Sequence, residues 1–157
     1  MNIRDSAFMY LEHRSRTVKE MEIYLSAKGF DKYEITDTIS ELENFNYLND
    51  EEYVIAYIDY SLRKKRGKLR MIADLQQKGV ADDKIRDGFL AYEDERGIDI
   101  SAEEEILARK EASDILGESE LDRNILGKIG RHLSNLGYDQ NIIYKIIGEI
   151  TEGKFDD

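Results

Sequence analysis

Residues 21–42 read MEIYLSAKGFDKYEITDTISEL, and the same pattern returns twice, at 71–92 as MIADLQQKGVADDKIRDGFLAY and at 129–150 as IGRHLSNLGYDQNIIYKIIGEI. Leu25, Gly29, Phe30, Ile35 and Ile39 match Leu75, Gly79, Val80, Ile85 and Phe89 at an offset of 50, then Leu133, Gly137, Tyr138, Ile143 and Ile147 at a further 58. One turn upstream of each leucine stands Met21, Met71 or Ile129, and one turn downstream of the last position stand Leu42, Tyr92 and Ile150. Spacings of three and four put these residues on one helical stripe, and no period-two alternation that would mark a strand survives for long. The chain is therefore expected to be all-α, an elongated tandem array of three three-helix repeats with about nine short helices. The repeats are placed at 1–48, 49–97 and 98–157.

Punctuation along the chain agrees with that reading. Thr17 with Glu20, Asp31 with Glu34, Asn49 with Glu52 and Ser101 with Glu104 each offer a side-chain oxygen and an acid three residues on, as helix starts require. Gly29, Gly79, Gly117 and Gly137 are expected to close helices in the left-handed conformation.

Composition narrows the function classes. The 157 residues contain no Cys, Pro or Trp, so a disulfide framework, a thiolate zinc site and a cysteine nucleophile are excluded. The longest apolar run, Tyr53 to Ile58, is far below the roughly 18 residues of a membrane span, and the first residues have no apolar signal core. A cytoplasmic protein without a membrane association is expected. The net charge of -11 argues against a surface that grips nucleic acid all over. The charge is uneven, however. Residues 1–50 carry 6 bases and 10 acids, 51–93 carry 9 and 8, and 94–157 carry 8 and 16. Six of the nine central bases fall together: Arg63, Lys64, Lys65, Arg66, Lys68 and Arg70. Helix-end electrostatics rewards one or two cations, not six, so this turn is the first place to expect a phosphate or an acidic partner.

Other constellations are weaker. His13 and His132 are far apart and without an evident partner, and no phosphate loop or zinc-binding helix motif is present. Glu103, Glu104 and Glu105 read as the solvated start of a helix rather than as ligands. Tyr53, Tyr57 and Tyr60 recur at i, i+4, i+7 beside the basic cluster; rings there can stack on bases, but helical spacing favours a core role. With no nucleophile, base or metal set, catalysis, metals and cofactors are not expected.

Three segments carry a resemblance. Tyr10-Leu11-x-x-Arg14-x-x-Thr17-x-x-Glu20-Met21-x-x-Tyr24-Leu25-x-x-Lys28-Gly29-Phe30, then Tyr47-Leu48-Asn49-Asp50-x-x-Tyr53-x-x-Ala56, and then Leu75-x-x-Lys78-Gly79-Val80 resemble the bacterial RecX family of regulatory proteins. The resemblance implies tandem three-helix repeats, a RecA recombinase filament on DNA as partner, and lowered RecA ATP hydrolysis and strand exchange, hence control of recombination, DNA repair and the SOS response. It leaves room for direct DNA contact through the basic turn, and a monomer is expected. Tyr47, Leu48 and Asp50 form the family-like segment joining the first two repeats. Asp50 could pair across that junction or serve the first turn of the fourth helix, and helix electrostatics favours the second role. Two departures stand out: Asn46 lies where the family often has glycine, and Leu136-Gly137-Tyr138 replaces a common Arg-Gly-Phe. The residues alone leave two other readings open, a DNA-binding helical module acting without RecA and a helical scaffold for another protein.

Overall fold

In a computed structural model that describes residues 1–155, the apolar stripes fold as nine helices with no strand among the described residues. They are α1 Ile3–His13, α2 Val18–Ala27, α3 Lys32–Asn44, α4 Asp50–Arg63, α5 Lys68–Gln77, α6 Asp82–Arg96, α7 Ile100–Leu116, α8 Arg123–Leu136 and α9 Gln140–Thr151. The expected repeat boundaries at 48/49 and 97/98 fall in the α3–α4 and α6–α7 connections; Asp156 and Asp157, the end of the third expected repeat, lie outside the described residues.

Local chemistry explains the helix limits. Thr17 forms a full capping box: the Glu20 N–H donates to its Oγ1 at 3.0 Å while its own N–H donates to Glu20 Oε1 at 2.9 Å. Asp31 accepts from the Tyr33 N–H, and Asn49 from the Glu52 N–H at 3.0 Å. The expected Ser101 cap is displaced. Asp99 caps α7 instead, accepting from the Ser101 and Ala102 N–H groups, because the helix begins at Ile100 and its free N–H groups lie two residues earlier than a Ser101 cap would need.

The threefold Leu-x-x-x-Gly-apolar pattern turns out to be one helix-closing device. After Leu25 the Gly29 N–H returns to Ser26 O and the Phe30 N–H to Leu25 O; the same pair of bonds follows Leu75 and Leu133. The glycine sits at φ of 91, 86 and 91°, and the apolar residue after it is free to fold back over the leucine. Leu25, Leu75 and Leu133, with Met21, Met71 and Ile129, are fully buried.

Packing gathers the chain into two compact units, Met1–Tyr57 with Asp74–Ala91, and Ile58–Ala73 with the chain from Tyr92 onward. In the first, α1, α2 and α3 pack on one another around Ala7, Met21, Leu25, Ile39, Leu42 and Leu48. In the second, α7, α8 and α9 enclose Ala108, Ala112, Ile129, Leu133, Tyr138 and Ile146. Ile146 is fully buried and Ile147 only partly, so the stripe of the last helix includes a position the self-alignment missed; its counterparts Thr38 and Gly88 are buried too.

Gly88 has a packing reason in the first unit. A methyl group there would lie within 3 Å of the stiff Val54 side chain. Gly88→Ala is therefore expected to destabilise the fold by about 2 kcal/mol despite the better helix propensity of alanine. Urea unfolding of the variant checks this; a gain in stability would contradict it.

Candidate partner-contact site

The basic cluster lies in the second unit, where α4 ends and α5 begins. Its backbone repeats the closing device: the Lys65 N–H donates to Leu62 O at 3.0 Å and the Arg66 N–H to Ser61 O at 2.9 Å. Here the left-handed residue is Lys65, at φ 61°, where the repeats use glycine. A side chain in that conformation costs about 1 kcal/mol, so the surroundings must hold it. They do so at two points. Tyr138, buried on the far side of the turn, donates its hydroxyl to the Lys65 carbonyl. Lys65 Nζ lies 3.1 Å from Glu111 Oε1, and Glu111 Oε2 lies 2.9 Å from His132 Nε2. Burial alone would raise the Glu111 carboxyl, but hydrogen bonds from His132 and Lys65 bring it below its ordinary range. Burial, then the Glu111 and Glu104 charges, push the Tyr138 phenol well above its ordinary range, so it remains a neutral donor.

Three N–H groups at the start of α5 are also engaged. The Gly67 N–H donates to Leu136 O at 2.7 Å, the Lys68 N–H to Glu104 Oε2 at 3.1 Å, and the Leu69 N–H to Gly137 O at 3.1 Å. These are the donors with which a helix start usually binds an anion. Because they are satisfied internally, any anion held here must be held by side chains.

The six bases are accordingly not equivalent. Arg63 and Lys64 are exposed at the end of α4. Lys65 is tied to Glu111. Arg66 is half-buried with its guanidinium 5.3 Å from the centre of the Tyr60 ring, and Lys64 Nζ is 5.9 Å from the same ring. Lys68 and Arg70 are half-buried and engaged within the fold. The outward surface is thus Arg63 and Lys64, with Arg66 and the partly exposed Tyr60 beside them.

The tyrosine stripe differs from expectation. Val54, Ile58 and Ser61 form the buried i, i+4, i+7 line of α4, one residue on from the tyrosines. Tyr53 and Tyr57 flank that line half-buried, and the Tyr57 hydroxyl donates to Asp74 at 2.7 Å. A wide ring at a flanking position satisfies the same periodicity as a core residue, which is why spacing misassigned it.

The joining segment separates in the same way. Leu48 is buried in the first core, while Tyr47 is exposed and packs edge-on against Phe8. Asp50 stands in the first turn of α4, and its carboxylate also reaches across to accept the Val18 N–H at 2.9 Å, so both of its expected roles are realised. Burial raises its pKa, against the opposing pull of that hydrogen bond. Asn46 is left-handed, at φ 62°, and asparagine is the side chain that tolerates this conformation best.

Two expectations about charged groups are corrected. Glu104 is no solvated helix start: it is 2% exposed and caps the start of α5, while its neighbour Glu105 pairs with Arg109 and Lys145. His132 has a partner, Glu111; His13 lies in the last turn of α1. Among the described residues no group of three or more His, Cys, Asp or Glu side chains could hold a metal, and no helix is long and apolar enough to cross a membrane. Glu111 was invisible to sequence reasoning because nothing local links it to Lys65. Tyr138 carried one signal, as the only member of the Phe30, Val80, Tyr138 register with a polar tip.

Comparison with known proteins adds the family context. Residues 4–42 match the family model described as RecX, first three-helix domain, and residues 49–88 match RecX, second three-helix domain. Regulatory protein RecX of Clostridium botulinum (strain Alaska E43 / Type E3) is 30% identical over 98% of this chain and 71% of its own length. Its counterpart in Clostridium perfringens (strain 13 / Type A) is 31% identical over 97% and 70%. The crystal structure of RecX from Lactobacillus salivarius superposes with a TM-score of 0.81 at 23% identity, covering 96% of this chain and 95% of that one, which shows a shared fold.

Proposed function

The chain belongs to the RecX family, and on that footing we propose that it binds RecA recombinase filaments on DNA and restrains their ATP hydrolysis and strand exchange, thereby modulating recombination, repair and the SOS response. The observation that carries the proposal beyond the family is the basic turn. In a chain with a net charge of -11, a left-handed lysine clamped by Tyr138 and Glu111 holds Arg63 and Lys64 outward on a rigid support. Rigid presentation lowers the entropy cost of binding an acidic surface or a phosphate. The action needs no chemistry at this site; contact with the filament is sufficient.

The decisive experiment titrates the protein into RecA hydrolysing ATP on single-stranded DNA at fixed salt. Progressive loss of ATPase activity is expected, and no effect from the folded protein would overturn the proposal. The double variant Arg63→Glu, Lys64→Glu is expected to need at least tenfold more protein for the same inhibition. Its melting temperature should change little, since both side chains are exposed. Equal inhibition by the variant would remove the turn from the mechanism.

A second reading is favoured by Tyr60 lying between Lys64 and Arg66: direct binding of single-stranded DNA without RecA, bases on the ring and phosphates on the cations. That reading requires affinity for bare DNA that falls steeply with salt.

A further inference from the structure

Two junctions in this protein are built alike. In the first unit the end of α5 seats on the start of α2: Thr17 Oγ1 donates to Lys78 O at 2.8 Å, and a Cβ at Gly79 would overlap the Lys19 side chain. In the second unit the end of α8 seats on the start of α5: the Gly67 and Leu69 N–H groups donate to Leu136 O and Gly137 O, and a Cβ at Gly137 would overlap Arg70. Each time the loop holds a left-handed glycine followed by a buried apolar residue, and the carbonyl just before that glycine, Lys78 O or Leu136 O, accepts from the small residue that leads the facing helix, Thr17 or Gly67.

Helix α2 ends in a third copy of that loop, Lys28, Gly29 and Phe30, closed by the same two hydrogen bonds. Its surroundings differ. Lys28 and Gly29 are exposed, Phe30 is only half-buried where Val80 and Tyr138 are buried, and a Cβ at Gly29 would meet no atom within 4 Å. We infer that the Lys28-Gly29-Phe30 loop is a protein-docking surface that takes the start of a partner's helix led by glycine or a small hydroxyl residue.

The two intramolecular junctions indicate what fits the loop. A second copy of the chain does not. Its α2 and α5 starts are already seated on its own loops, and the position matching Thr17 and Gly67 in the third repeat is Ile125, inside α8, which begins earlier and is capped by Asp122. The occupant assigned here is a different protein. Its identification with RecA rests on the function proposed above.

Gly29→Asn tests the assignment. Asparagine tolerates the left-handed conformation, as Asn46 does here, and its side chain would enter open space in the free protein but collide with a docked helix as a Cβ at Gly79 or Gly137 would. The expected result is an unchanged melting temperature and at least tenfold weaker binding to RecA filaments on single-stranded DNA. The same exchange at Gly153, another exposed left-handed glycine, should leave binding intact. Wild-type affinity in the Gly29 variant would overturn the docking assignment alone; absence of binding by the wild-type protein would overturn it together with the RecA reading. Dimerisation of the wild-type chain that Gly29→Asn abolishes would place a second copy on the loop and overturn the assignment to a different protein.

Discussion

Gly67→Ala is expected to lower the stability of the protein by about 4 kcal/mol and its melting temperature by roughly 8–16 °C. Gly67 is buried, and a methyl group on it would overlap the carbonyl of Gly137 and the amide nitrogen of Tyr138. Those are backbone atoms, which cannot rotate away as the end of a side chain could. Either α8 withdraws or the turn into α5 opens, and both movements stretch the Gly67 N–H bond to Leu136 O and the Leu69 N–H bond to Gly137 O. Overpacking contributes about 1–3 kcal/mol and each weakened buried hydrogen bond about 1 kcal/mol more. The smaller entropy of an unfolded chain with alanine offsets only about half a kcal/mol. Thermal unfolding followed by circular dichroism measures the effect. Gly97→Ala supplies the comparison: that glycine is also left-handed, at φ 61°, but a Cβ there meets nothing within 4 Å, so only the conformational cost of about 1 kcal/mol is expected. Equal losses at the two positions would show that the α5–α8 junction is not the tight backbone contact described.

The same junction marks what could be read in advance. The Leu25, Gly29, Phe30 pattern was legible because its logic is local: a leucine, a left-handed residue four positions on and an apolar residue after it together close one helix. Gly67 was not legible, since its need for a bare backbone comes from Gly137, far along the chain. Self-alignment could not reveal it either, because Thr17 stands at the matching position and uses its hydroxyl where Gly67 uses its N–H. Ser101 and Tyr53 fail for a different reason. Each satisfies a correct rule that a neighbour satisfies better, Asp99 in reaching the free N–H groups and Val54 in facing the core.

At the candidate site, composition found the charge and missed its division. Six bases in eight positions read as one patch, yet Lys65 is occupied by Glu111 and by its own strained backbone, and only Arg63 and Lys64 are exposed without such ties. The resemblance to the family directed attention to Asn46 and Asp50, and the structure supplies their reasons: a left-handed φ at the first and an N–H of α2 at the second. Asp50 on Val18 and Glu104 on Lys68 do the same work, each a carboxylate from one repeat capping the middle helix of the repeat before it. No spacing rule could have paired them, because they differ in residue type and in position along their helices.

Glu104 gives that equivalence its sharpest test. Glu104→Ala is expected to cost about 3 kcal/mol, from the Lys68 N–H left without an acceptor and the cavity opened around a side chain that is 2% exposed. Glu104→Gln retains a carbonyl for that N–H and is expected to cost about 1 kcal/mol near pH 4. The pH dependence carries the argument further. Burial raises the Glu104 carboxyl above the ordinary value of 4.5, with the Lys68 amide, the Lys68 charge and the Asp139 amide opposing. Between 4.5 and that raised value the folded protein binds more protons at this site than the unfolded chain does, so the wild-type contribution falls as pH rises through the window. Glutamine lacks this titration. The stability gap between wild type and Glu104→Gln should therefore be widest below pH 4.5 and shrink as the pH is raised, even though the lowered carboxyls of Asp59, Glu105, Glu111 and Glu149 move the stability of both proteins in the opposite direction. Those groups are common to both proteins, and taking the difference removes them so long as they act independently of Glu104. Urea unfolding of the pair at pH 4 and pH 8 measures the gap directly. A gap that is constant or widens towards pH 8 would mean that burial does not dominate at Glu104, and that the Lys68 amide and charge match or outweigh its desolvation.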